Sequence, residues 1–174
     1  MELGIDILAM LFAAAFIAAF IDAIAGGGGL ITIPALLMTG MPPAMALGTN
    51  KLQAFGGALS ASIYFLRKRA VNLSAFSFIL LIIFIGSVIG TLLIQNLDAS
   101  LIKKGLPFLI LAIGLYFLLT PKLGESDRKQ RISYAVFALC VGSLLGFYDG
   151  FFGPGVGSLM NLACVTLLGF NLTK

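Results

Sequence analysis

Long apolar stretches separated by short polar ones run the length of the chain, at residues 7–25, 30–39, 44–66, 73–94, 106–119, 132–147 and 156–170. A helix crossing the hydrocarbon core of a bilayer needs about 20 apolar residues. The stretches 44–66 and 73–94 therefore predict full spans. The stretch 106–119 is short, and Leu101 and Ile102 lengthen it if Lys103 and Lys104 snorkel to the interface. The stretch 30–39 is too short to cross alone and, coming after a run of glycines, predicts a half-helix. The pattern predicts an all-α fold: a polytopic transmembrane helical bundle with helices broken or re-entrant at its glycine-rich motifs.

Two interruptions stand out. Asp22-Ala23-Ile24-Ala25-Gly26-Gly27-Gly28-Gly29 breaks the first stretches, and Asp149-Gly150-Phe151-Phe152-Gly153-Pro154-Gly155 breaks the last ones. A carboxylate and a helix break at membrane depth are both costly, because lipid cannot satisfy loose backbone groups. They are tolerated where the backbone is packed in protein or lines a cavity. Asp22, Gly26 and Gly28 match Asp149, Gly153 and Gly155 at a constant offset of 127, and Gly40 matches Gly169 at 129. The correspondence predicts two pseudo-symmetric repeats, a first at 1–120 and a second at 132–174, joined by a polar connection at 121–131. The second copy stops soon after its motif, so it reads as incomplete. If residues 7–39 form a re-entrant pair, the repeats are inverted; if 7–25 spans completely, they can be parallel.

Composition supports the membrane reading. Of 174 residues, 60% are hydrophobic and 10% charged, against about 25% charged in soluble domains. Only Asp22, Lys51 and Asp149 lie within apolar surroundings; the other charges sit at stretch ends or in connections. The net charge of +4 resides in loops with no stacking platform around it, which argues against nucleic acid as a partner. Cys140 and Cys164 lack metal-ligand spacing and there is no histidine, so no metal site and no cofactor are expected. The start of the chain lacks the basic flank and small-residue cleavage site of a signal peptide, so the first apolar stretch is expected to be retained.

Orientation follows from the basic residues. Arg67, Lys68 and Arg69 close one span, and Lys122, Arg128, Lys129 and Arg131 fill the longest polar connection. Two helices separate the clusters, so both face the cytoplasm under the positive-inside rule, and the connection at 95–100 faces outward.

The glycines Gly26, Gly27, Gly28 and Gly29 leave backbone N–H groups at the start of the following half-helix, where the helix dipole favours an anion. A flexible hinge is the plainer alternative. Gly153, Pro154 and Gly155 form the second break. Thr49, Asn50, Lys51 and Gln53 cluster early in a predicted span, where lipid exposure is costly, and so predict an interior cavity. A snorkelling lysine is the structural alternative for Lys51. Asp22 and Asp149 read as ion-pair partners, coupling-proton sites or caps of the half-helices. Gly86 and Gly90 read as ordinary small-residue helix packing.

The stretch IDAIAGGGGLITIPALL, followed by GMPPAMALGTNKLQ and later GFYDGFFGPGVGS, resembles the TauE/SafE sulfite exporter family of membrane permeases. The resemblance implies a multi-pass secondary transporter of the bacterial inner membrane, embedded in the lipid bilayer and not an enzyme. It implies movement of small anions such as sulfite, sulfonates or related organic anions, coupled to an ion gradient with H+ or Na+ as the candidate ion. It also implies about eight spans, more than this chain holds. A homo-oligomer is a candidate assembly. Two rival readings come from other classes: an intramembrane aspartyl protease using Asp22 and Asp149, and a non-transporting membrane scaffold subunit.

Overall fold

The computed structural model describes residues 4–69, 73–119 and 130–169. The basic residues Lys122, Arg128 and Lys129, most of the connection 121–131, and the end of the second predicted repeat lie outside the described residues. Every described element is helical: α1 (Ile5–Ala25), α2 (Gly29–Met38), α3 (Pro43–Arg67), α4 (Leu73–Gln95), α5 (Ala99–Leu119), α6 (Tyr134–Phe151) and α7 (Val156–Leu168). Helices α6 and α7 contain π-helical segments, at Phe137–Gly142 and Cys164–Leu168.

Three segments among the described residues are both long and apolar enough to cross a membrane: Ile5–Ile24, Phe76–Gln95 and Tyr134–Phe151. Helices α3 and α5 have the length, at 25 and 21 residues. They carry closely spaced polar or charged residues, Thr49, Asn50, Lys51 and Gln53 in α3 and Lys103 and Lys104 early in α5. That is the physical reason the predicted span 44–66 is less uniformly apolar than its length suggested. Between Asp6 and Asp22 helix α1 is apolar all round, and Phe12, Phe16 and Phe20 project outward from one face at 75%, 68% and 65% exposure. Such faces are at home in lipid.

Both predicted breaks are present. Helix α1 ends at Gly26, which adopts the left-handed conformation at φ 75°. Its N–H closes the helix on the Asp22 carbonyl at 2.9 Å. Helix α2 then turns back alongside α1: a Cβ on Gly28 would stand 2.6 Å from the Ala18 carbonyl. The second break has left-handed glycines at Gly153 and Gly155, φ 91° and 73°. Helix α7 returns along α6, so that the Arg131 N–H donates to the Leu167 carbonyl at 2.8 Å. The two ends of the α6–α7 hairpin are therefore neighbours. Gly40 and Gly169, matched in the sequence, are both left-handed at φ 82° and 75° and both follow the short arm of a break.

Two apolar clusters hold the elements. Ile33, Leu47, Ile102 and Leu106 join α2, α3 and α5. Ile79, Phe137, Ala138 and Leu168 join α4, α6 and α7. Helices α4 and α6 approach to backbone contact along a run of glycines. A Cβ on Gly86 would stand 2.7 Å from the Ser143 carbonyl, and one on Gly90 would collide with the Phe147 carbonyl. Across the contact, a Cβ on Gly150 would collide with the Ser87 carbonyl. Thr91 fastens the same contact, its hydroxyl donating to the Gly150 carbonyl at 3.2 Å. Small residues are what permit so close an approach where the hydrophobic effect gives no help between helices.

Candidate functional site

The first break meets the arm that follows the second. The Ser158 N–H donates to the Gly26 carbonyl at 3.1 Å. A Cβ on Gly26 would stand 2.5 Å from the Gly157 carbonyl carbon, so the two chains touch through backbone. Beside this junction lies a cavity of about 690 Å³, whose wall includes Asp22, Gly26, Gly29, Asn50, Lys51 and Gln53 from α1 to α3. Asp149, Gly153 and Gly155 line it from the second break.

The fold thus brings together most of the residues that sequence pattern singled out. It leaves four of them off the wall. Gly27 and Gly28 are buried in the junction, and Pro154 is fully buried. Thr49 is exposed, one position round α3 from Asn50, with its hydroxyl 3.8 Å from the Met41 sulfur. Two polar wall residues went unnoticed in the sequence, Ser87 and Asn161, and so did Ser158 in the junction beside the wall. Asn161 had a signal, an amide within the apolar stretch 156–170. Ser87 had none beyond its place between Gly86 and Gly90.

Each charged group at the site has a partner. Asp22 Oδ1 accepts from the Gly28 N–H at 2.9 Å, which satisfies one of the N–H groups that the start of α2 leaves without a helical partner. The expected row of free N–H groups is correspondingly shorter, since Leu30, Ile31 and Thr32 also donate to the carbonyls of Gly27 and Gly28. Lys51 reaches from α3 to the second break. Its Nζ donates to the Asp149 backbone carbonyl and lies 3.4 Å from Asp149 Oδ1. The carbonyl is available because the Gly153 N–H turns to the Tyr148 carbonyl instead, at 3.1 Å. Gly153 lets the lysine in, as a Cβ there would stand 3.1 Å from Nζ. The Tyr148 hydroxyl steadies the same loop by donating to the Pro154 carbonyl at 2.7 Å.

Asn50 is 7% exposed, and its Oδ1 has no hydrogen-bond partner among the described residues. A buried acceptor left unpaired costs about 1–3 kcal/mol. Asp22 and Asp149 have separate partners and no hydrogen bond joins them among the described residues. A shared-proton dyad needs two carboxylates in contact.

Residues 11–174 match the family described as sulfite exporter TauE/SafE. The chain belongs to the TauE/SafE sulfite exporter family. A probable membrane transporter protein of Haemophilus influenzae is 75% identical over 174 residues, covering the whole chain and 68% of that relative. The probable membrane transporter protein YfcA of Escherichia coli K12 is 56% identical over 168 residues, covering 97% of the chain and 62% of the relative. A probable membrane transporter protein of Sinorhizobium sp is 49% identical over 173 residues, covering 99% of the chain and 66% of the relative. The chain thus spans about two thirds of the length of these TauE/SafE relatives. No solved structure matches it. TauE/SafE membership together with the three apolar helices makes this a membrane protein of a transporter family.

Proposed function

We propose that the protein is a secondary transporter of small anions, sulfite, sulfonates or related organic anions, that binds its substrate in the cavity between the two broken helices. Lys51 carries this reading. It is the one cation on the described wall of the cavity, and it bridges α3 to the second break. An entering anion finds Lys51, the start of α2 at Gly29 and the Asn50 amide around one space. The positive end of a helix dipole and an ammonium group both stabilise negative charge. Broken helices meeting at a substrate site are a recurrent plan of secondary transporters, with access alternating as one unit moves against the other. Two matched pairs that are left-handed in both copies, Gly26 with Gly153 and Gly40 with Gly169, support reading the two breaks as halves of a duplicated unit. The site lies in the bacterial inner membrane in this account, with Arg67, Lys68 and Arg69 on the cytoplasmic side. Asp149 competes with the anion for Lys51 and returns to it when the anion leaves, while Asp22 shapes the first break.

Reconstitution of the intact protein in liposomes tests the reading. Labelled sulfite and small sulfonates should cross in a saturable way and compete with one another. Flux no greater than in empty liposomes for all of them would contradict it.

A further inference from the structure

Lys51 borders a second, smaller space besides the cavity between the breaks. A crevice of about 100 Å³ is lined by Ala44 and Gly48 early in α3, Thr91 and Gln95 at the end of α4, and Gly150 at the end of α6. Lys51 is the one described residue that lines both spaces. They extend from it in opposite directions along α3. The crevice runs back to Ala44, about 10 Å from Lys51, and the cavity wall runs on through Ala54 and Ala58 to Ala61, about 15 Å towards Arg67. Arg67, Lys68 and Arg69 put that end of α3 on the cytoplasmic side, so the crevice faces outward and the cavity inward.

The end of α6 stands between the two spaces. On the α4 side it is held by close backbone packing at Gly90 and Gly150 and by the Thr91 hydroxyl. On the α3 side it is held by Lys51 Nζ, through the carbonyl and the carboxylate of Asp149. The first contact is packed backbone; the second is one ammonium group, which can let go and return. We propose that the Lys51–Asp149 pair is the outer gate of the cavity. Closed, as in this structure, it leaves the cavity facing the cytoplasm. Broken, it lets α3 part from the α4–α6 pair and joins the crevice to the cavity. The inference rests on the reading of the protein as a transporter that uses this cavity, and it holds whichever solute is carried.

Cysteine accessibility in the intact protein tests the gate without any substrate. With Cys140 and Cys164 replaced, Gln95→Cys marks the mouth of the crevice and Ala58→Cys marks the cavity. A small impermeant methanethiosulfonate added outside intact cells should label Gln95→Cys, and it should label Ala58→Cys only in inside-out vesicles. Losing a charge-assisted hydrogen bond shifts the balance of closed and open gate, so external labelling of Ala58→Cys should quicken roughly ten- to a hundredfold in Lys51→Met. Asp149→Asn, which keeps the backbone carbonyl, should quicken it less. Labelling of Ala58→Cys in inside-out vesicles reports that each variant has inserted, and where one has not, the other variant and the wild-type pattern decide. External labelling of Ala58→Cys in the wild-type background as fast as that of Gln95→Cys would overturn the gate. So would external labelling that stays at the wild-type rate in both variants; anion flux in liposomes alongside that result would leave the anion reading standing. The expected labelling without flux of any anion would do the reverse, removing the anion reading and keeping the gate.

Discussion

Lys51 and Asp149, 98 residues apart in sequence, join the third helix to the second break through one ammonium group, which meets both the backbone carbonyl and the carboxylate of the aspartate. The arrangement is half structural and half electrostatic. Nζ satisfies a carbonyl in the last turn of α6, where the helix leaves acceptors over and favours a cation. At the same time the charge faces the cavity, with the lysine side chain 31% exposed. A pair this open to the cavity can be exchanged for a pair with an entering anion.

Competition for Lys51 makes a directional prediction. Asp149→Asn removes the rival negative charge and keeps the backbone carbonyl, so anion affinity should rise several-fold rather than fall. Calorimetric titration with sulfite compares the two proteins. A marked loss of affinity would mean that Asp149 supports the anion site instead of competing for it.

Asp22 makes a different prediction, because its carboxylate caps α2 through Gly28. Asp22→Ala should cost about 0.5–2 kcal/mol of stability through the lost cap. Asp22→Asn retains an acceptor oxygen and should restore most of it. Thermal unfolding in detergent checks both. Equal loss in the two variants would point to the charge rather than the cap.

The α4–α6 contact has no room for side chains. Gly90→Leu pushes into the Phe147 carbonyl and should cost about 1–3 kcal/mol or prevent assembly. Gly56→Ala is the control, since a Cβ on Gly56 meets nothing within 4 Å and alanine is the better helix former. Fluorescence-detected size exclusion of the two variants measures it. A Gly90→Leu protein as stable as wild type would contradict the packing.

Topology is tested at the two ends of α4, which at 23 residues is about 35 Å long. With Cys140 and Cys164 replaced, a cysteine at Asn96 should react with an impermeant thiol reagent added outside intact cells, and one at Arg69 should not. Strong external labelling at 69 would reverse the orientation.

Much of this fold was legible because apolar length and glycine breaks are local signals. The turn at Gly26 and the short arm α2 followed from four glycines after a carboxylate, and Gly153 from its matching spacing, whereas Gly155 is left-handed where its match Gly28 is right-handed. The site was legible as a set of residue types: polar groups in apolar stretches have to face something other than lipid. What sequence could not supply was which of them share a face. Thr49 and Asn50 are adjacent, yet a helix turns them about 100° apart, leaving one exposed and the other buried. Nor could it supply long-range partners. Gly86 and Gly90 read as generic packing, and only the fold gives them Ser143 and Phe147 as neighbours across the contact. The Lys51–Asp149 pair was one of several assignments open for the aspartates, and pairing across 98 positions has no local signature.

The central claim is that an anion binds in the cavity at Lys51. Equilibrium binding of sulfite to the intact wild-type protein and to Lys51→Met tests it most directly, with correct membrane insertion of both established first. Loss of a charge-assisted contact should weaken binding roughly ten- to a hundredfold, and Lys51→Arg, which keeps the charge in a different shape, should fall between the two. Wild-type affinity in Lys51→Met would contradict the account, leaving Lys51 as a structural tie to the second break.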